Sequence, residues 1–202
     1  MAGQHDVRRG RLTRAFFARP VLEVAPELLG CTVSHAGVTV RLTEVEAYDG
    51  SNDPGSHAFR GPTRRTEVMF GQPGGLYVYF TYGMHFCANV SCEAEGVGAA
   101  VLFRALEPIA GVDEMALRRG LGEPRLLCSG PARLTQALGI GREQNGSPVW
   151  REPLALLARG PGDEPHVVAT PRIGVGGDPR PWRFVDARSA FLSRPLPRSA
   201  RR

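Results

Sequence analysis

Lysine is missing. All 25 basic side chains of the 202-residue chain are arginine. Any mechanism that needs a lysine Schiff base or a phosphate-loop lysine is therefore excluded. Arginine suits bidentate phosphate contacts, although codon bias accounts better for a chain so rich in Arg, Ala, Gly and Pro. Long apolar runs are missing too. None approaches the ~20 residues needed to span a bilayer, and no apolar segment of a secretory signal follows the N-terminal arginines. The four cysteines, Cys31, Cys87, Cys92 and Cys128, lack CxxC spacing. Reduced, mostly buried thiols in a cytoplasmic protein that is not secreted are expected. His57, His85, Cys87 and Cys92 form no recognised ligand spacing, so neither metal nor cofactor is expected.

What is present fits an ordinary globular domain: 42% hydrophobic and 22% charged residues, in a length that supports one sizeable core. The charge is uneven. Residues 1–19 carry five Arg against Asp6, and residues 172–202 carry eight Arg against Asp178 and Asp186, while the middle holds twelve Arg and seventeen acids. Basic ends suit phosphate contacts and are also common as solubilising tails, so charge alone does not identify a nucleic-acid binder. Residues 1–10 and 195–202 read as flexible basic ends around a single domain at 11–194.

The pattern predicts a short helix from Pro26 to Gly30, then strands at 31–34 and 38–48 joined by a tight turn at Ala36–Gly37. A long loop follows over 49–63. Strands are expected at 76–82, 86–91 and 99–106, helices at 112–118 and 131–138, a polar loop at 141–152, and strands at 154–157, 166–169 and 182–185. This is α+β: a single compact domain with several short helices and a curved, largely antiparallel or mixed sheet.

Four tyrosines and an awkward carboxylate carry the chemistry. In Thr43–Glu44–Val45–Glu46–Ala47–Tyr48, alternation puts Glu44, Glu46 and Tyr48 on one face. A solvated edge strand explains that pattern. So does a general base, with Glu46, nearest the glycine-rich loop that bears His57, as the candidate; a carboxylate among rings has its pKa raised. In Leu76–Tyr82, Tyr77 and Tyr79 face one way and Val78, Phe80 and Tyr82 the other. All the rings suit a core, yet Tyr82 precedes Gly83 and Met84 at a bend, where a projecting ring can wedge between bases. Asn89 and Arg104 are polar within apolar strands. A buried arginine needs an anionic partner, either a carboxylate or a phosphate.

With these residues in view, the chain resembles the 3-methyladenine (alkyladenine) DNA glycosylase family. The matching stretches are TEVEAYDGSNDPGSHAFRG (43–61), VMFGQPGGLYVYFTYGMHFCANV (68–90), VLFRALEP (101–108), LLCSGPARLTQALGI (126–140) and PRIGVG (171–176). The resemblance implies a monofunctional enzyme that flips alkylated or deaminated purines out of double-stranded DNA and hydrolyses the N-glycosidic bond. Glu46 would activate water, with Arg104 and the Ile173 carbonyl around that water. Tyr48 and His57 would stack on one face of the base and Tyr79 on the other. Tyr82 would fill the vacated space, and Asn89 would disfavour the amino group of guanine. Met84 and His85 are possible DNA contacts. His85 stands where some relatives have another aromatic residue, and Arg64 where a proline is often found. The enzyme would work as a monomer in the cytoplasm, at the nucleoid if bacterial. A non-catalytic DNA- or RNA-binding module and a hydrolase of small nucleosides are the competing readings.

Overall fold

The computed structural model describes residues 10–196. Helices α1 (Arg14–Phe17) and α2 (Val21–Glu27) precede strands β1 (Thr32–His35) and β2 (Val38–Asp49). After a long loop come β3 (Leu76–Thr81), β4 (His85–Cys92) and β5 (Ala99–Ala110). Helices α3 (Val112–Arg119), α4 (Pro124–Leu127) and α5 (Pro131–Leu138) follow. Strands β6 (Trp150–Arg151), β7 (Leu154–Leu157), β8 (Val167–Thr170) and β9 (Arg183–Asp186) complete the chain. The fold is α+β, a single compact domain. The expected flexible ends fall almost wholly outside the described residues.

The sheet runs β3-β4-β5-β2-β1-β7-β6, with β9 on β2 and β8 on β9. Every pairing among the described residues is antiparallel, so the sheet is not mixed. β2 is central rather than an edge: its first half pairs with β1, and Glu44–Glu46 pair with β9. That rules out a solvated edge strand as the reason for its carboxylates. Against β5 the register shifts three times, once at Thr39/Val40 and on either side of Glu44. Leu42 opposes Leu106, Glu44 opposes Ala105 and Val45 opposes Phe103. Thr43 on β2 and Arg104 on β5 are thus unopposed bulge residues, the kind of irregularity that re-aims a side chain beside a site.

One sheet face carries the core, including Val45, Ala47, Val78, Val90, Val101 and Phe103, under helices α2 and α5. Helix α5 buries Leu134, Ala137 and Leu138. Each buried leucine contributes about 1.5–3 kcal/mol, and such packing, not propensity, sustains so short a helix. The expected helix at Pro26 starts earlier, after Pro20, and holds Pro26 in its last turn; Gly30, at φ 81°, turns the chain away as expected. Helices α1 and α4, four residues each, and β6, two residues, were not anticipated. Among the described residues no helix is long and apolar enough to cross a membrane.

Candidate active site

The register lays one row of side chains across four strands. Tyr77 opposes Asn89, Asn89 opposes Leu102, and Leu102 opposes Glu46. Opposed residues share a face, here the face turned away from the core. Above the row opens a cleft of about 290 Å³, lined by Tyr48, His57, Tyr77, Tyr79, Tyr82, Asn89, Arg104 and Ile173 among others. It is at the small end for a ligand pocket. Ala58, Met69, Tyr77 and Ala100 pack together beneath it.

Glu46 lies directly behind this lining and has no accessible surface. Its Oε1 accepts the Ile173 N–H at 2.7 Å. Its Oε2 accepts the Tyr48 hydroxyl at 3.0 Å and Arg104 Nη1 at 3.2 Å. Burial lifts the Glu46 carboxyl above the usual carboxylate range, and the Arg104 charge, the Ile173 N–H and the Tyr48 hydroxyl pull it back only part of the way. Burial, then the Glu46 charge, raises the Tyr48 phenol far enough that it remains a donor. Arg104 also pairs through Nε with Glu44 at 3.3 Å. Its anionic partners in the fold are therefore carboxylates. The contact that Ile173 makes with Glu46 is through its N–H.

The rings divide differently from expectation. Tyr77 and Tyr79 stack with centroids 5.4 Å apart, and His57 meets Tyr79 edge-on at 4.7 Å. That spacing leaves no gap for a base between His57 and Tyr79. His57 therefore packs with Tyr79, while Tyr48 is tied to Glu46. Tyr77 is buried as expected of a core ring, but its hydroxyl lies 3.1 Å from His57 Nδ1, so it also serves the cleft. Partial burial, then Arg65, lowers the His57 imidazole pKa. Arg65 itself lies 5.2 Å over the Tyr79 ring. Asn89 is buried, and its Nδ2 donates to the Tyr77 carbonyl at 3.1 Å, which fixes the amide at the cleft floor.

Tyr48 has a backing that the sequence reading missed. The Arg172 guanidinium sits 4.5 Å from its ring centroid and is buried, with Asp53 at 2.5 Å and Asp178 at 2.5 Å. Burial alone would raise the Asp53 carboxyl; hydrogen bonds from Arg172 and the Gly55 N–H outweigh it and hold the group low. Gly55 leaves room for this pair, since a Cβ there would meet Val175 Cγ1 at 2.8 Å and Arg172 Nη2 at 3.0 Å. The signal was available: Arg172 sits among small apolar residues in PRIGVG, as Arg104 does in its strand. Arg172 and Arg183, counted in the basic C-terminal end, are interior ion-pair partners.

At the rim, Tyr82 and Gly83 have φ of 51° and 66°, and the Met84 N–H closes the turn on the Thr81 carbonyl at 3.1 Å. Two successive positive-φ residues mark a type I′ hairpin turn. Such a backbone is strained for tyrosine, and the turn holds Tyr82 89% exposed, with Met84 69% exposed beside it. Met84 and His85 line a neighbouring shallow groove rather than the cleft. Arg64 and Arg65 are the central residues of a turn that closes from the Thr66 N–H to the Thr63 carbonyl at 2.9 Å. Proline suits the first of those positions, so arginine there leaves the loop's path intact. Among the described residues no group of three His, Cys, Asp or Glu is placed to hold a metal ion.

Such a cleft suits a flat heterocycle held beside a proton acceptor, the setting of a base-handling hydrolase. Residues 15–190 match the family described as methylpurine-DNA glycosylase (MPG). A protein of Rhodopseudomonas palustris (strain ATCC BAA-98 / CGA009), named "Putative 3-methyladenine DNA glycosylase", is 52% identical over 197 residues, 97% of this chain and 94% of the relative. Proteins of the same name from Nitrobacter winogradskyi and Burkholderia orbicola (strain MC0-3) are 50% and 46% identical, each across 92% of this chain and across 88% and 92% of their own lengths. The chain belongs to the methylpurine-DNA glycosylase family. It is a DNA glycosylase, which hydrolyses N-glycosidic bonds, and DNA is its substrate.

Proposed function

We propose that the enzyme flips alkylated or deaminated purine nucleotides out of duplex DNA into this cleft and releases the base by hydrolysis, leaving an intact abasic strand. The observation that carries the reading is Glu46, a buried carboxylate whose three donors all line the cleft. Glu46 takes a proton from water as the water oxygen attacks C1′. The glycosidic bond breaks with its electron pair going to the base, and the carboxylate stabilises the oxocarbenium character that develops on the sugar.

Glu46 has no accessible surface, so one side chain moves when DNA docks. Tyr48, half-buried and bonded to Oε2, is that group: in turning to stack on the base it frees Oε2 for water. The base then lies between Tyr48 and the His57–Tyr79 wall. Arg104 keeps the carboxylate charged and aimed and lies beside the water, as does the Ile173 backbone. Asn89 disfavours the exocyclic amino group of guanine. Tyr82 fills the vacated stack, with Met84 and His85 against the strand.

Flipping costs a few kcal/mol, and stacking returns about 1–3 kcal/mol per base. A cationic base such as 3-methyladenine leaves as a neutral molecule and is also held by the rings through cation–π attraction. Hypoxanthine, which is neutral, relies on pocket shape and on acquiring a proton. The enzyme acts as a monomer in the cytoplasm. Duplexes containing 3-methyladenine, 7-methylguanine, hypoxanthine or ethenoadenine test the reading by base release. Glu46→Gln is expected to slow release by orders of magnitude while duplex binding survives; full activity in that variant would overturn it. A small-nucleoside hydrolase would instead be indifferent to Tyr82→Ala.

A further inference from the structure

We propose that the C-terminal strap, Phe191–Leu196, is a working part of the site, and that Ser193, acting through Glu44, is a positioning residue for Arg104 and Glu46. The inference rests on Glu46 being the proton acceptor. The strap lies beyond residues 15–190, which the family match covers. It fastens where the sheet is irregular. Thr43, the bulge residue of β2, donates through Oγ1 to the Phe191 carbonyl at 2.6 Å. Arg104, the bulge residue of β5, brings Nε to 3.5 Å from Ser193 Oγ.

Glu44 explains why this matters. It has no accessible surface and shares Arg104 with Glu46. Ser193 satisfies it twice, with its N–H and its hydroxyl each at 2.7 Å, and Arg183 Nε satisfies it a third time at 2.7 Å. A buried carboxylate draws on whatever donors remain. With Glu44 saturated by Ser193 and Arg183, Arg104 Nη1 is left to Glu46. Remove the Ser193 hydroxyl and Glu44 draws Arg104 toward itself, so Glu46 holds its proton more tightly. The titratable and charged groups around Glu46 are Glu44 and Tyr48 on its own strand, Arg104 on β5, Arg183 on β9, and Arg172 behind Tyr48.

Single-turnover base release from a lesion duplex, followed against pH, tests this with the full chain. Ser193→Ala should move the acid limb upward by about half a pH unit, which is about threefold in rate below the midpoint, with the plateau and duplex binding unchanged. Ser193→Thr, which keeps the hydroxyl, should restore the limb. An unmoved limb, an equal slowing at every pH, or no rescue by threonine would overturn the proposal. The limb's position does not depend on how much protein is folded. Should Ser193→Ala not fold at all, Thr43→Val decides, since it removes the bond from Thr43 that holds the strap at the Phe191 carbonyl and should shift the limb in the same direction. A Glu46→Gln control separates the two claims. If that variant keeps full release, the catalytic reading fails. If it is inactive while the Ser193→Ala limb stays put, only the role of the strap fails.

Discussion

At Glu46, function and stability pull against each other. The carboxylate must be charged to take a proton from water, yet burial makes its charged form unfavourable and outweighs Arg104, the Ile173 N–H and the Tyr48 hydroxyl. The sign of the pH effect follows. A folded-state pKa above the unfolded value means that the group adds stability at low pH, where it is protonated, and that this is lost as pH rises through the raised value. Glutamine mimics the protonated form at every pH. Glu46→Gln should therefore reduce base release by about 10²–10⁴-fold, the usual weight of a general base. Relative to the parent, its melting temperature should gain as pH rises from 4 to 8. A loss over the same range would show that the ion pair with Arg104 dominates instead, and parallel curves with no pH-dependent gap that burial and the ion pair cancel. In the parent enzyme the acid limb of the rate profile should lie above the ordinary carboxylate range.

Among the elements, the β3–β4 hairpin and the paired loops behind Tyr48 make separable contributions. The hairpin presents Tyr82 at its tip with almost no contact to the fold, so Tyr82→Ala should leave the melting temperature alone. It should slow release from paired duplex by about tenfold or more, since a wedge offsets unstacking worth a few kcal/mol, and spare release from a single-stranded lesion. Equal losses on both substrates would mean that Tyr82 acts on the base itself. Arg172 has the opposite profile. It joins the loop of Asp53 to the loop of Ile173, and Arg172→Met leaves the buried Asp53 with Arg180 and backbone N–H groups as partners. Urea unfolding should show a loss of about 3 kcal/mol, and pairing the change with Asp53→Asn should recover part of it. These elements also mark what could be read in the chain beforehand. Alternation assigned the faces of β2 and β3, and Pro131 marks the first turn of α5; both signals are local. The double bulge at Thr43 and Arg104 was hidden, since register exists only between two strands. The Arg172–Asp53 and Ser193–Glu44 contacts join residues 119 and 149 positions apart, with no spacing to betray them. The side of the cleft that His57 joins was equally hidden, because it depends on how a loop folds onto β3.

On the scale of the whole molecule, the use of arginine alone shapes both the interior and the chemistry. Arginines at 104, 172 and 183 are built into buried networks with Glu44, Glu46, Asp53 and Asp178, so a count of positive charge along the sequence overstates what the surface offers to DNA. Planar guanidinium groups suit this, since each can bridge two carboxylates, as Arg104 and Arg172 do. The same composition limits the reaction. Cutting the strand after base removal by way of a Schiff base on the deoxyribose C1′ requires an amine, and no lysine is present to supply one. With water as the nucleophile, the proposed reaction leaves an abasic site with both phosphodiester bonds intact. A lesion duplex incubated to complete base release should yield cut strands only after alkali, in an amount equal to the base released. Borohydride added during the reaction should trap no enzyme–DNA adduct through a lysine. Strand breaks exceeding those of an enzyme-free abasic duplex would contradict a water-only mechanism.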